Sequence, residues 1–371
     1  MLIATPNLCV DRTSRVPEVV PGGVLRARAV EVTAGGKGVN VARVARAYRR
    51  PATLVALVAE RDRDRILGLL ADEGADVVPV ASPGYARVGT IMVEESGRAT
   101  VLNEPGTPLD EATWAAYRDA VAERAAAGAR LLVCAGSLPP GAPVDGYAEL
   151  VALAAEAGVA TVLDTAPAPL HATLASGPDL VTPNLEEAEA AIHGGSGALL
   201  VGAESENGSD DGASVAGRAG DAARALCALG ARRAAVTAGA AGVAFSDGVR
   251  TEWVRTVPTR VVSAVGAGDS FVGGLALGLL QAGGSPAGLE YEQWLDAVIR
   301  GAATATASCE RLLAGGVDPA RADELLAQLR ALATKDANTT GATNTGGATN
   351  TGGATNTAGA MNTAARTGDA G

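Results

Sequence analysis

Six short stretches of the chain are almost continuously apolar: Leu2–Thr5, Thr53–Ala59, Leu131–Cys134, Ala160–Leu163, Asp179–Thr182 and Ala234–Thr237. A strand that alternates apolar and polar residues covers one face. A strand that is apolar throughout needs cover on both, and such strands belong to parallel sheets held between two layers of helices. Helical spacing appears between these runs, at Arg63–Glu73, Asp145–Gly158 and Asp221–Leu229, and two further helices, Leu289–Ser308 and Pro319–Leu332, close the pattern. A strand at Asp76–Val80 fits the same sheet. Two other segments do alternate: Val24–Val32, and a hairpin of Arg87–Val93 with Ala99–Leu102 about Ser96-Gly97-Arg98. They predict a small, separate β element. The chain therefore reads as an α/β protein with one large parallel sheet and one minor sheet.

Not all of the 371 residues belong to that core. From about Asp336 the chain has no aromatic residue and almost no large apolar one, and Gly341–Gly346 opens a hexapeptide repeat that recurs at 347–352 and, in near-copies, at 353–358 and 359–364. Such a tract buries too little apolar area to offset its ordering entropy, so residues 334–371 are expected to be a disordered tail. Residues 194–219, rich in Gly, Ser and acids, are expected to form a surface insertion. What remains is large enough for one α/β domain. A net charge of −11 and 3% aromatic residues argue against nucleic acid or an anionic membrane as partner. Four cysteines without metal-ligand spacing, only two histidines and no apolar run of membrane-spanning length suggest a cytoplasmic protein with idle thiols. An anionic small molecule would need a local cluster of Lys and Arg.

Polar and glycine residues recur just after the apolar runs, where open α/β sheets bind ligands. The most informative is Val262-Ser263-Ala264-Val265-Gly266-Ala267-Gly268-Asp269-Ser270-Phe271. Its glycines permit a tight turn that brings N–H groups together, and a helix N-terminus follows that favours negative charge. Asp269 then reads either as an ordinary helix-start acid or as a base beside an anion site, an arrangement suited to phosphoryl transfer. The second stretch is Ala34-Gly35-Gly36-Lys37-Gly38-Val39-Asn40, running into an amphipathic helix that includes Arg43. It lacks the earlier glycine of a Walker A loop, since position 31 is Glu. Its glycines suit close approach by a polar ligand, with Asn40 able to bond a hydroxyl. Asp11, just past the first strand, is either a turn residue or a ligand-edge acid.

In this order and spacing, Gly35-Gly36-Lys37-Gly38-Val39-Asn40 and Gly266-Ala267-Gly268-Asp269 resemble the two signatures of the PfkB-type carbohydrate kinases. Thr5-Pro6-Asn7 with Asp11-Arg12-Thr13, Asn103-Glu104-Pro105-Gly106 and Gly136-Ser137-Leu138-Pro139-Pro140-Gly141 are similar to the 1-phosphofructokinase and tagatose-6-phosphate kinase branch. The resemblance covers about residues 1–333. It implies a ribokinase-like three-layer α/β/α sandwich with a β lid from about 11–33 and 85–104. It also implies ATP and Mg²⁺, and a homodimer paired through the lid.

By that resemblance Asp269 is the catalytic base, and Gly266, Ala267 and Gly268 form the anion hole. Asp11, Gly36, Lys37 and Asn40 hold the sugar. Arg26 and Arg87, with Ser137, hold the phosphate the substrate already carries. Asn184 and Glu187 place the nucleotide phosphates and Mg²⁺, Glu187 through water. Thr237, Gly239 and Gly242 form the nucleotide-binding turn. Fructose 1-phosphate is the acceptor the resemblance favours, with tagatose 6-phosphate, fructose 6-phosphate or non-catalytic sensing of a sugar phosphate as alternatives. The sequence departs from the family pattern at Thr182, where Lys is common, at Gly89, where Asn is common, and at Ala264, where Thr is common.

Overall fold

Leu2 and Ile3 are neighbours in one strand, yet they enter different cores, because successive side chains of a strand point to opposite faces. The computed structural model describes residues 1–195, 212–283 and 286–343. In chain order its strands are β1 (Leu2–Thr5), β2 (Cys9–Val16), β3 (Ala29–Gly35), β4 (Thr53–Ala59), β5 (Asp76–Ser82), β6 (Arg87–Glu94), β7 (Ala99–Asn103), β8 (Leu131–Ala135), β9 (Ala160–Asp164), β10 (Leu180–Val181), β11 (Ala234–Thr237), β12 (Gly242–Ser246) and β13 (Thr251–Arg255). Its helices are α1 (Lys37–Ala47), α2 (Arg63–Asp72), α3 (Glu111–Ala126), α4 (Gly146–Glu156), α5 (Pro167–Leu174), α6 (Leu185–Ile192), α7 (Gly212–Ala228), α8 (Ala267–Gln281), α9 (Tyr291–Ser308) and α10 (Pro319–Thr343).

Nine strands form the large sheet in the order β13-β12-β11-β10-β9-β8-β1-β4-β5. From β11 to β5 every pairing is parallel, and β12 and β13 are added as antiparallel edge strands. Ile3, Leu54 and Val133 face one helical layer, where they meet Val39 of α1, Ile66 of α2, Leu275 of α8, Val298 of α9 and Leu325 of α10. Leu2, Val55 and Leu132 face the other, with Tyr117 of α3, Leu150 of α4, Leu170 of α5, Ala188 of α6 and Leu226 of α7. The expected three layers are present. The small residues of α8 have a packing reason: a Cβ on Gly273 would lie 2.7 Å from Val44 of α1, and one on Gly274 would lie 2.3 Å from Thr304 of α9.

The minor sheet has the order β3-β2-β6-β7. Its central pair, β2 and β6, is parallel, with antiparallel β3 and β7 outside. It therefore includes a strand the sequence pattern does not announce. Cys9–Val16 carries Asp, Arg, Thr and Ser in its middle and looks like a loop, yet its backbone pairs on both sides. Asp11 is consequently a strand residue of the minor sheet, not part of a turn after β1. The outer strand β3 begins at Ala29, later than Val24, and absorbs Gly35 of the glycine cluster.

Two helices run longer than their composition suggests. The helix expected at Asp221 already begins at Gly212, so part of the 194–219 insertion is helical, while its residues 196–211 lie outside the described residues. The helix expected to end at Leu332 continues to Thr343, into the segment expected to be disordered. No proline interrupts Ala333–Thr343, so nothing blocks the extension sterically, although its Thr, Asn and Asp residues are weak helix formers. The remainder of the repeat, 344–371, lies outside the described residues. Residues 1–331 form one compact unit and 332–371 a second. No described helix is long and apolar enough to cross a membrane.

Candidate active site

Asp269 stands in the first turn of α8. Gly266, in the left-handed conformation at φ 77°, makes the turn that starts this helix. A side chain there would also strike Ala314. The first turn of a helix leaves N–H groups without intrahelical partners. Ala267 N–H donates to Ala264 O at 3.1 Å, closing the turn. Of the expected donors Ala267 is thus bonded, while the N–H groups of Gly266, Gly268 and Asp269 have no acceptor among the described residues. Gly268 is exposed and has open space around its Cα. The rim of the turn formed by Gly266, Gly268 and Asp269 therefore carries the amides open to an anion.

The Asp269 carboxylate is 7% exposed and accepts a 2.6 Å hydrogen bond from Asn40 Nδ2. Burial raises its pKa from the ordinary carboxylate range to about 7. The Asp164 charge pushes in the same direction, while Lys37 and the Asn40 bond oppose it. Asn40 lies on the first turn of α1, so two helix N-termini meet at this acid.

Lys37 begins α1, and its ammonium lies 2.9 Å from Asp164 Oδ1 and 3.9 Å from Glu187 Oε1. Burial works against its charge, but the carboxylates of Asp164, Glu187 and Asp269 outweigh it and hold the ammonium well above its usual pKa. Lys37 was expected to belong with the sugar residues. It faces the acids at the end of β9 and in the first turn of α6. Asp164 is 3% exposed, and no motif singled it out; the available signal was an acid closing an apolar strand.

Asn184 and Glu187 form a capping box. Asn184 Oδ1 accepts from Glu187 N–H at 2.7 Å, and Glu187 Oε2 accepts from Asn184 N–H at 3.1 Å. Burial raises the Glu187 pKa, against the pull of Lys37. The Asn-x-x-Glu spacing thus shapes the helix start and turns the second oxygen of Glu187 toward Lys37. Thr237 ends β11 beside this turn, with its N–H donating to Pro183 O at 3.0 Å and its backbone bridged to Asn184. Gly239 has open space around it. Gly242 does not: a Cβ there would lie 2.5 Å from Val254 O, so that glycine serves the β12–β13 pairing.

Among the described residues, no group of three or more His, Cys, Asp or Glu could hold a metal unaided. The pair that fits a hard cation is Asp164 and Glu187, since Mg²⁺ is commonly bound by one or two carboxylates together with phosphate oxygens and water. The Lys37 ammonium, seated between them, marks the place as one that takes positive charge.

The glycines of the second motif make room for the protein's own side chains. A Cβ on Gly35 would fall 2.2 Å from the Asp11 carboxyl carbon, and one on Gly38 would fall 2.6 Å from Thr5 Cβ. The close approach expected of a ligand is, at these two positions, an approach by Asp11 and Thr5. Gly36 has no such neighbour under 3.6 Å and caps α1 with φ 109°. Gly89 is explained in the same way, because a Cβ there would lie 2.4 Å from Asp11 Oδ1. Asp11 therefore occupies a slot between two glycine strands, where it accepts from Cys9 Sγ at 3.1 Å and burial raises its pKa.

A basic corner adjoins Asp11. Arg87 donates through Nε and Nη2 to Asn7 O at 3.0 and 2.9 Å. Asn7 Nδ2 donates to Ser137 Oγ at 3.0 Å. Ser137 follows Gly136, whose carbonyl is held by Tyr147 Oη and Thr165 Oγ1 at 2.9 and 2.8 Å. Arg87, Asn7 and Ser137 are thus gathered, Asn7 through both its carbonyl and its side-chain amide. Arg26 is not gathered. It is exposed, in the segment between β2 and β3, beyond the far end of their pairing at Arg15–Ala29. Arg15 is already about 13 Å along the strand from Asp11, at roughly 3.3 Å per residue. Thr182, the departure from Lys, is buried with its hydroxyl on Leu163 O at 3.3 Å and presents no charge.

A buried acid beside helix amides, an acid slotted between two glycines and an arginine-braced corner lie together in a ribokinase-like fold. Residues 4–321 match the pfkB family of carbohydrate kinases, and the chain belongs to that family. It is 33% identical over 270 residues to the 1-phosphofructokinase of Rhodobacter capsulatus, covering 72% of this chain and 80% of that protein. It is 31% identical over 283 residues to the ATP-dependent 6-phosphofructokinase isozyme 2 of Escherichia coli K12, covering 76% and 85%. The crystal structure of Escherichia coli phosphofructokinase-2 in complex with potassium superposes with a TM-score of 0.73 at 26% identity, over 89% of this chain and 99% of that one.

Proposed function

We propose that the protein transfers the γ-phosphoryl group of ATP to a hydroxyl of a phosphorylated ketohexose, fructose 1-phosphate giving fructose 1,6-bisphosphate being the best fit. The observation that carries this reading is Asp269: a buried carboxylate with pKa raised to about 7, beside amides that have no acceptor among the described residues. The acceptor hydroxyl gives its proton to Asp269 as its oxygen bonds to the γ-phosphorus. The bond from that phosphorus to the bridging oxygen breaks, and ADP departs. The amides of Gly266, Gly268 and Asp269 stabilise the charge on the transferred group. Asn40 holds the carboxylate toward the hydroxyl.

Asp11 and Asn40 bind sugar hydroxyls, with Gly36 at the open end of the slot. Arg87 and Ser137 bind the phosphate already on the substrate; a guanidinium fork suits that group on a chain of net charge −11. Asn184, Thr237 and Gly239 line the nucleotide side. Asp164 and Glu187 would hold Mg²⁺, which when bound neutralises the nucleotide phosphates. The minor sheet acts as a lid that excludes water from the site. Its outer strands carry exposed Val30, Val101 and Leu102, and the segment between β2 and β3 carries exposed Val24. We place a two-fold contact between lids there, in a cytoplasmic homodimer, and assign Arg26 to the site completed by that contact.

The test is ADP release with Mg-ATP across fructose 1-phosphate, fructose 6-phosphate, tagatose 6-phosphate, fructose and ribose, with Asp269→Asn alongside. Turnover on fructose 1-phosphate that collapses in the variant is the expected result. Preference for either 6-phosphate moves the acceptor assignment within the class. Activity confined to neutral sugars overturns the role given to Arg87. Binding of a phosphosugar without turnover overturns the kinase reading in favour of a sensor.

A further inference from the structure

Arg43 is the most heavily bonded side chain near the site, and the reaction outlined above gives it no task. It is 8% exposed, one helical turn beyond Asn40 on α1. A guanidinium has five N–H donors, and here all five have acceptors. Nε and Nη2 donate to the two carboxylate oxygens of Glu73, just past α2, at 2.5 and 2.7 Å. Nη2 also donates to Ala34 O, at the root of the minor sheet. Nη1 donates to Ala314 O at 3.0 Å, in the loop that packs against Gly266. Its other proton goes to Asn40 Oδ1 at 2.6 Å.

That last bond has a directional consequence. An amide side chain can present either its oxygen or its nitrogen to a neighbour. With Arg43 bonded to the oxygen, only the NH₂ of Asn40 is left for Asp269, and it donates to Oδ2 at 2.6 Å. A donor favours the ionised carboxylate, whereas an amide oxygen turned to the same place would favour the protonated one. The groups that also act on Asp269 are Lys37, Asp164 and Asp11. None of them can set the amide's direction.

We propose that Arg43 is a positioning residue for the phosphotransfer reaction: it fixes the orientation of Asn40 and thereby keeps Asp269 in the form that accepts a proton. The same guanidinium ties that orientation to the root of the lid and to the loop beneath the Gly266 turn. The inference rests on the kinase reading for its consequence in turnover, but not for its geometry.

Arg43→Lys is the discriminating variant, because lysine keeps the charge with three donors in place of a planar fork of five. The expected kcat loss is roughly tenfold at pH 6 and about twofold at pH 8, with KM for ATP little changed. The acid limb of the pH profile moves up by about one unit. In an Asn40→Ala background the same change costs little further, since its route of action is gone. The Asp269 carboxyl pKa, followed by ¹³C NMR in protein without substrates, rises in Arg43→Lys. That readout survives if no phosphosugar is turned over, so failure of the kinase reading is told apart from failure of this one. An unmoved Asp269 titration, or an equal kcat loss with and without Asn40, overturns the proposal. Should Arg43→Lys fail to fold, Arg43→Gln with Glu73→Gln removes a buried cation and anion together, and it is read by the same measurements.

Discussion

At the residue scale, the site turns on how burial sets charge. Asp269 must be ionised to take a proton, and with its pKa raised to about 7 the base is lost as pH falls. The expected kcat/KM is flat above pH 8 and drops about tenfold per unit below 7, measured with saturating Mg-ATP. Asp269→Asn should cost roughly a hundred- to ten-thousand-fold in kcat while phosphosugar binding persists. The same variant should be more stable than the parent at pH 8. The sign follows from linkage: near pH 4 and below the carboxyl is protonated folded or unfolded, and nothing is lost. Above that the unfolded chain ionises freely while the folded site resists, so the penalty grows until about pH 7. Thermal melts of the two proteins should diverge across this window, with about 4 kcal/mol as the ceiling. Equal melting temperatures at pH 5 and pH 8 would sink the argument. Arg87 acts differently, through a fork already braced on Asn7 O. Arg87→Ala should raise KM for the phosphosugar tenfold or more and leave KM for ATP nearly alone, as steady-state kinetics on both substrates would reveal.

At the element scale, the sequence was most readable where a strand or helix obeys one period. The parallel strands β1, β4, β8, β9 and β11 could be placed because both faces are apolar, and α8 because Gly266 and a small-residue face announce it. Strand β2 could not be read, since Asp11, Arg12, Thr13 and Ser14 satisfy a two-sided backbone ladder without an apolar face. Among site residues, Asp269, Asn40, Lys37, Asn184 and Glu187 were legible from motif, and the structure draws them into one neighbourhood. Asp164 and Arg43 were not, because their importance lies in partners distant along the chain. The glycine motif was legible as a requirement for room, but not as to what fills it. Asp11 fills it from between Gly35 and Gly89. Gly89→Ala should therefore push the Asp11 carboxylate out of its slot, since a Cβ would stand 2.4 Å from Oδ1. Overpacking of this kind costs about 1–3 kcal/mol. The sugar KM should rise with kcat less affected, and Asp11→Asn should mask the change; a Gly89→Ala enzyme with unaltered sugar KM would mean the slot is not the sugar site.

At the scale of the whole molecule, the large sheet and its helices carry Asp164, Glu187 and Asp269, whereas the minor sheet carries Asp11 and Arg87 and has exposed apolar residues on β3 and β7. Val30 and Val101 are nearly half exposed and Leu102 two-thirds exposed. By register Val30 and Leu102 lie on one face of the small sheet and Val101 on the other, so a contact between lids would use Val30 and Leu102. Arg26 lies beyond the far end of the same sheet, away from the Asp11 slot of its own chain. These two facts make a joint prediction if the lids pair. Leu102→Glu buries a charge in the contact and should convert a dimer to a monomer in sedimentation analysis. The monomer should retain its fold and its ATP KM, yet lose affinity for the phosphosugar by about the factor that Arg26→Ala costs in the dimer. Adding Arg26→Ala to Leu102→Glu should then change little, because the arginine has already lost the site it serves. A monomer with undiminished phosphosugar affinity would separate assembly from the site, and an unchanged dimer would move the contact elsewhere on the surface.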